Sequence, residues 1–237
     1  MYFQYSRLTI YNILCSPCHK KRFPPWKETV MKKPLLAVAL LLALLAPALA
    51  QAADWSANVN GVLGIKMLDD SDWGDFDNQF EMGVMADLTA DSWPVGLSAN
   101  LFYSSDSTSD YHDNEIGDTY YYTYYAEDAT TVELNLGLKK IWSVTHPFNI
   151  YMGGGLAIIY GEMEITRANN LAGTYRDTDS EDDIGLGGWG AVGCYYTFAN
   201  QINVGLDLRY STAEIDMYDD EIDAGGFHAG LLVGYAW

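Results

Sequence analysis

The chain ends in a segment, 224–237, in which large apolar side chains occupy every second position. One face of this segment carries Phe227, Ala229, Leu231, Val233, Tyr235 and Trp237. The other face is small or polar and carries His228, Gly230, Leu232, Gly234 and Ala236. A period of two residues predicts a β-strand with one apolar face. Because hydrocarbon does not tolerate unpaired strand edges, a set of such strands with apolar outer faces predicts a closed barrel.

Seven earlier segments alternate in the same way, and each predicts one strand. They span residues 55–67, 80–88, 95–103, 132–139, 148–162, 184–198 and 202–210. The segment 184–198 has the least regular alternation, because glycines and Trp189 interrupt it, and this is compatible with a β-bulge. The apolar faces are about as long as an outer-membrane strand requires, on the order of 9–11 residues.

The connections between these segments alternate in length. Residues 89–94, 143–147 and 199–200 form short connections, whereas 68–79, 104–130, 163–183 and 211–223 are long and acidic. Short periplasmic turns and long outer loops are typical of a transmembrane barrel. A soluble antiparallel sandwich also alternates, so the strand pattern alone does not separate the two folds.

Aromatic residues gather at both ends of the segments and favour the membrane fold. Those at the short-turn ends are Trp55, Trp93, Trp142, Phe148, Phe198, Tyr235 and Trp237, and those at the long-loop ends are Tyr103, Tyr160 and Tyr210. Two aromatic girdles are expected of a membrane barrel and not of a sandwich. The sequence therefore predicts an all-β protein, an eight-stranded antiparallel up-and-down transmembrane β-barrel of the bacterial outer membrane.

The first 52 residues predict export rather than a part of the barrel. Residues 31–52 read as a signal peptide, with Lys32 and Lys33 before an apolar core and a small-x-small cleavage site ending at Ala52. Residues 1–30 precede this signal, and we interpret them as a leader translated from a misassigned start. They contain Cys15 and Cys18 in a haem-attachment pattern, but haem attachment follows export, so this position argues against it. The barrel domain is predicted at 53–237.

The charge balance excludes nucleic acid as a partner. The formal net charge is -19, and beyond residue 52 six basic residues stand against 31 acidic ones. Binding to phosphates requires Lys and Arg. Cys194 is the one cysteine of the predicted barrel, so no disulfide framework within it is expected.

Polar side chains on the inward faces form the candidate site. An eight-stranded barrel is just wide enough for side chains to fill it. Lys66 and Glu81 are expected to face each other across the first hairpin, and Arg209 and His228 across the last. The ionisable interior residues are predicted to be Lys66, Glu81, Asp87, Glu133, Lys139, Asp207, Arg209 and His228. The network is either a structural set of ion pairs or a gate, and inward glycines are expected to leave room for water.

Enzymatic activity is not predicted. The predicted barrel contains His112, His146 and His228, without a His-x-Ser pair or a Gly-x-Ser-x-Gly motif. No serine is placed beside His228 by the pattern, so His228 is predicted to be a hydrogen-bonded interior histidine. A serine within hydrogen-bond reach of His228 or His146 would favour a lipid-modifying enzyme. No metal or cofactor is expected, since the Asp-rich loops lack a complete Ca²⁺-loop pattern.

Two segments carry a family resemblance. Residues 147–156 read PFNIYMGGGL, and residues 230–237 form a final strand that ends in aromatics. They resemble small outer-membrane β-barrel proteins, the superfamily of the OmpA barrel, OmpX and OmpW. The resemblance implies the barrel fold and membership in the outer membrane. We also expect a monomer in contact with outer-membrane lipid and lipopolysaccharide, and recognition of the C-terminal strand by the outer-membrane insertion machinery.

The expected function is that of a non-enzymatic integral outer-membrane protein, which acts in envelope integrity or in surface interaction. Its acidic loops would make the contacts, together with the tyrosines that lie between Tyr120 and Tyr125. A narrow channel for small solutes, similar to OmpW, is the alternative.

Overall fold

The computed structural model describes residues 55–116, 119–169, 175–217 and 220–237, and it describes side chains in 55–110, 123–168, 176–217 and 220–237. The predicted leader, the signal peptide and the first residues of the barrel domain lie outside these ranges and stay predictions. In the described part of the chain, no helix has the length and apolar character to cross a membrane.

Eight long strands close into an antiparallel barrel, as the alternation predicts. Within the described residues, these strands are β1 (Trp55–Met67), β2 (Asn78–Ala90), β3 (Gly96–Ile116), β4 (Thr119–Thr145), β5 (Phe148–Asn169), β6 (Tyr175–Thr197), β7 (Ile202–Thr212) and β10 (Gly226–Ala236). Each strand pairs with its sequence neighbour, and β10 pairs with β1 to complete the ring. Closure leaves no free strand edge in the membrane.

The faces of the barrel are reversed relative to a soluble protein. Outward side chains are apolar and exposed, and Leu63, Leu186 and Leu231 keep 58%, 71% and 65% of their surface. The polar side chains of alternate residues point inward, where Lys66 is fully buried. This arrangement suits a protein whose outer surface faces hydrocarbon. Apolar side chains have no free-energy cost in contact with lipid, whereas charged side chains there would be strongly destabilising.

Four strands continue beyond the barrel wall, and this corrects the expected loops 104–130 and 163–183. Above the pair Phe80↔Ser105, β3 has no partner on its β2 side among the described residues. The strands β3 to β6 go on pairing with one another through 106–116, 119–129, 163–169 and 175–181, which we call the protruding sheet. Its residues 107–110 and 176–180 are exposed on both faces, so polar residues do not alternate with apolar ones there and the strand pattern is lost.

The other two long connections also contain regular structure. Residues 68–79 include the short helix α1 (Asp70–Trp73) and the 3₁₀ turn Gly74–Phe76. Asp69 caps α1 by accepting a hydrogen bond from the backbone N–H of Ser71, and this bond and that of the Ser71 hydroxyl hold the pKa of Asp69 below its usual value. Residues 211–223 include a hairpin of β8 (Glu214–Met217) and β9 (Asp220–Asp223).

The irregularity expected in 184–198 is found elsewhere. The strand β6 pairs with β5 and β7 in continuous register, whereas the register between β4 and β5 shifts at Ser143/Thr145, beside the short turn. Trp189 interrupts the apolar alternation because its indole lies inside the barrel, where it packs over glycines.

Candidate functional site

All eight ionisable residues predicted for the interior lie inside the barrel. None of them keeps more than 6% of its surface, and they come from β1, β2, β4, β7 and β10. Such groups require partners, because an unpaired charge in a water-poor interior is strongly destabilising. The side chains form two clusters, one around Arg209 and one around Lys139.

Arg209 is the centre of the larger cluster. One terminal guanidinium nitrogen, NH2, lies 2.9 Å from both carboxylate oxygens of Glu81, and the other, NH1, lies 3.4 Å from Asp207 Oδ2. The guanidinium carbon lies 3.3 Å from the ring centre of Phe102, in a cation–π contact. Arg209 Nε is also 3.5 Å from Glu133 Oε1. One guanidinium therefore compensates three buried carboxylates.

Lys66 lies at the outer side of the same cluster, but it does not face Glu81 as expected. The register pairs Lys66 with Gln79 and Gly64 with Glu81, because Met67 and Asn78 close the hairpin. The Lys66 ammonium donates to the carbonyl of Ala224 at 2.7 Å and to Thr131 Oγ1 at 3.1 Å, and it lies 3.6 Å from Glu133. Opposite charges thus meet across the barrel interior rather than along the hairpin.

His228 brings a serine and a carboxylate together, an arrangement that the sequence analysis missed. His228 Nδ1 lies 2.6 Å from Glu81 Oε2, and its Nε2 lies 3.0 Å from the Ser211 hydroxyl. The expectation that no serine stands beside His228 was wrong. Since His228 pairs with Arg209, Ser211 is its diagonal neighbour on the same inward face, and strand register could have revealed it.

The serine oxygen of this Ser–His–Glu set is enclosed by protein atoms in this structure. The Ser211 side chain is fully buried, and its hydroxyl donates to Glu133 Oε2 at 2.9 Å. A nucleophilic serine needs a substrate carbonyl within reach of its oxygen. Here protein atoms surround that oxygen, so the set acts as a hydrogen-bond network in this structure.

A second cluster surrounds Lys139 toward the periplasmic end. The Lys139 ammonium lies 2.7 Å from Asp87, which also accepts a hydrogen bond from Ser98 at 2.8 Å. The ammonium lies 4.7 Å from the ring centre of Tyr151, whose hydroxyl donates to Asp207. Tyr151 therefore links the Lys139 pair to the Arg209 cluster.

Aromatic side chains fill the space beside the inward glycines, which corrects the expectation of room for water. A Cβ atom on Gly83 would lie 2.2 Å from the ring of Phe102, and one on Gly193 would lie 2.3 Å from the ring of Tyr151. The indole of Trp189 occupies the corresponding place over Gly153. The glycines thus accommodate rings rather than solvent at these positions.

An apolar cap closes the outer mouth above the Arg209 cluster. The cap is formed by the connections at 68–79 and 211–223, which the sequence analysis interpreted as acidic loops. Its buried side chains are Leu68, Trp73, Phe76, Ala213, Ile215 and Met217 from these connections, together with Ala224 directly after the second one. They pack on Ala157 and Ile159 of the barrel wall and on Ala129 at the base of the protruding sheet. A signal was present in the sequence, since large apolar residues stand three or two apart within otherwise acidic segments.

The predicted girdle residues lie at the two ends of the barrel wall. Trp93, Trp142, Phe148, Phe198, Tyr103, Tyr210, Tyr235 and Trp237 are exposed, and Trp55 and Tyr160 are half-buried. Rings pair edge to face in Trp55–Trp93 and Tyr235–Trp237. Tyr196, which was not predicted, pairs with Phe198 in the same way.

The described residues contain no group of three or more His, Cys, Asp or Glu side chains arranged to hold a metal ion. His112 lies in β3, outside the residues whose side chains are described.

Solved structures similar to this chain are outer-membrane proteins of low sequence identity. Ail of Yersinia pestis, in complex with the heparin analogue sucrose octasulfate, is 11% identical with a TM-score of 0.46, over 77% of this chain and 97% of that chain. OprG from Pseudomonas aeruginosa is 13% identical with a TM-score of 0.43, over 78% and 96%. No curated protein matches the sequence.

The family assignment comes from a sequence model. The model described as "Outer membrane protein beta-barrel domain" matches residues 36–234, which is most of the chain. This match agrees with the closed barrel, with its apolar outer wall and with its polar interior. The chain belongs to the outer membrane protein beta-barrel domain family, and its place is the bacterial outer membrane.

Proposed function

We propose that this protein is a non-enzymatic outer-membrane barrel that contributes to envelope integrity or to surface interaction through its protruding sheet. The observation that carries the proposal is the extension of four paired strands beyond the barrel wall. Paired strands would present an ordered backbone outside the membrane, whereas flexible loops would lose more conformational entropy on binding.

The charge of the protruding sheet indicates the kind of partner. Its four segments contain ten acidic residues against two basic ones, Arg167 and Arg176. Asp110, Asp177 and Asp179 are exposed. A surface whose charges have one sign attracts charges of the opposite sign over one Debye length, which is about 8 Å at physiological ionic strength. The partner would be a positively charged macromolecule or surface.

Immobilised polylysine is a direct probe of this proposal. The variant Asp110→Asn/Asp177→Asn/Asp179→Asn should bind several-fold more weakly than the native protein in non-ionic detergent and should depend less on salt. The control Asp70→Asn/Asp75→Asn/Asp220→Asn makes the same charge change on exposed acids outside the sheet. If both triple variants weaken binding to polylysine equally, the binding depends on the net charge of the protein and not on the protruding sheet.

The filled interior supports this reading over the alternative of a narrow channel. Rings over Gly83, Gly193 and Gly153 and the buried ion pairs occupy the path of a solute. Planar-bilayer recordings test the alternative. We expect no steady unitary current from the native barrel, provided that heat-modifiable migration on a gel shows a folded protein. Steady currents that change in Lys66→Ala or Arg209→Ala would favour the channel.

The remaining partners follow from the fold and are part of the same proposal. The apolar outer wall between the aromatic girdles would contact outer-membrane lipid and lipopolysaccharide. The strand β10 would be the segment recognised by the insertion machinery, and the barrel would be a monomer, since its ring is closed within one chain. Nucleic acid is not expected as a partner.

A further inference from the structure

The cap over the outer mouth consists of two pieces that meet at one residue. We call these pieces the lid, and they span 68–77 in the first piece and 213–217 with 220–225 in the second. The indole N–H of Trp73 donates to the carbonyl of Asp223 at 2.7 Å, and the N–H of Asp223 donates to Asp72 Oδ2 at 3.0 Å. These two bonds join the pieces.

The side chain of Asp223 also orders the second piece. Its Oδ1 accepts the backbone N–H groups of Ala213 and Gly225 at 2.9 and 2.8 Å, and its Oδ2 accepts the hydroxyl of Thr212 at 2.9 Å. Asp223 therefore takes part in five hydrogen bonds, of which two join the pieces and three order the second piece. We refer to this group of bonds as the latch.

The hairpin of the second piece is weak on its own, and outside the latch and the cap the N–H of Asp216 donates to Asp183 Oδ2 of β6 at 2.8 Å. Its strands β8 and β9 have four residues each, and an isolated hairpin is marginal even when longer. Its register also places Asp216 opposite Glu221, a like-charge pair that destabilises a sheet. The hydrogen-bonded contact with Glu214 raises the pKa of Glu221, which again reflects the proximity of two carboxyls.

The lid packs against glycines of the barrel wall. A Cβ atom on Gly161 would lie 2.6 Å from Ile215 Cδ1, and one on Gly185 would lie 2.9 Å from Ile215 Cγ2. Below the lid, the ammonium of Lys66 donates to the carbonyl of Ala224, so the lid rests directly on the charged interior. The lid thus separates the Arg209 cluster from the outside, while its exposed surface carries Asp70 and Asp75.

We propose that the lid is a gate, which opens at the latch and admits water and small cations from the cell surface to the charged interior around Lys66 and Glu133. Opening removes Trp73, Phe76 and Ile215 from the cap without changing the membrane-spanning strands. The acidic outer surface of the lid favours cations at the entrance. This gate does not use the exposed acidic residues of the protruding sheet, and it does not require a continuous pore.

A thiol reporter beneath the lid tests the gate in outer membranes of cells that express the full chain. Cys194→Ala removes the barrel's own thiol, and Ala129→Cys places one within the cap. Labelling with the small cation methanethiosulfonate-ethylammonium should be slow. Adding Asp223→Ala removes three side-chain hydrogen bonds, and the loss of each should accelerate labelling by roughly fivefold. If the free energies of the three bonds add, labelling should be accelerated by about a hundredfold. The control Asp75→Ala removes one lid charge and no latch bond, and it should label at the slow rate.

Two results would overturn the proposal. One is fast labelling of Ala129→Cys with the latch intact, and the other is an equal rate in Asp223→Ala and Asp75→Ala. If Asp223→Ala does not give a heat-modifiable barrel, Trp73→Phe decides, because it removes one donor and keeps the apolar cap. It should accelerate labelling by roughly fivefold, and no acceleration would reject the gate.

Discussion

Removing Arg209 should destabilise the barrel more than any other single change of charge in the interior. Its guanidinium is buried and contacts Glu81, Asp207 and Glu133 at 2.9 to 3.5 Å. Breaking a buried pair by removing one partner costs about 3–5 kcal/mol, since the other charge stays uncompensated. Because Arg209→Met leaves three carboxylates behind, we expect a loss of about 4 kcal/mol in the free energy of unfolding.

Urea unfolding of the barrel in lipid vesicles, followed by tryptophan fluorescence, measures this loss. The control Lys140→Met makes the same chemical change at a half-buried, outward position and should cost below about 1 kcal/mol. The double variant Arg209→Met/Glu81→Leu should be more stable than Arg209→Met alone, since one orphaned carboxylate is removed. A loss below about 1 kcal/mol for Arg209→Met, or strictly additive losses in the double variant, would refute this account of the interior.

Two further predictions concern Ser211 and the interior glycines. A fluorophosphonate probe should not label Ser211 in the folded barrel, and labelling that disappears in Ser211→Ala would instead indicate a reactive serine. Ser211→Ala should lower the free energy of unfolding by about 1–3 kcal/mol, because Glu133 and His228 each lose a hydrogen-bond partner. Gly83→Ala should cost about 1–3 kcal/mol by urea unfolding, since the new methyl group would overlap the ring of Phe102 and the carbonyl oxygen of Leu101. An unchanged midpoint would mean that both the ring and the backbone adjust without cost.

The barrel itself was predictable from the sequence because the membrane enforces alternation. Residues such as Leu231 and Leu232 occupy opposite faces, and each outward position must be apolar in hydrocarbon. The protruding sheet was not predictable in this way, since its residues 107–110 and 176–180 are exposed on both faces. The remaining signal in 119–129 was a high content of Thr and Tyr, which favours strands without fixing their ends.

The sequence predicted which ionisable residues point into the barrel, but it did not predict which of them contact each other. Alternation places Lys66, Glu81 and Arg209 inside, whereas contact depends on register and on the distance across the barrel. An assumed register put Lys66 opposite Glu81, two residues away from its observed partner Gln79. The same uncertainty hid the contact between Ser211 and His228.

The distribution of charge follows from the cost of desolvation. Three of the six basic residues beyond residue 52, Lys66, Lys139 and Arg209, are buried among four interior carboxylates. A cation is indispensable there, because a buried carboxylate without one is strongly destabilising. On the outer surface, hydration stabilises the acids without cations, and salt screens their mutual repulsion. Surface acids can therefore be neutralised without loss of the fold, whereas the removal of an interior charge destabilises the barrel. The charge of the outer surface can for this reason vary independently of barrel stability.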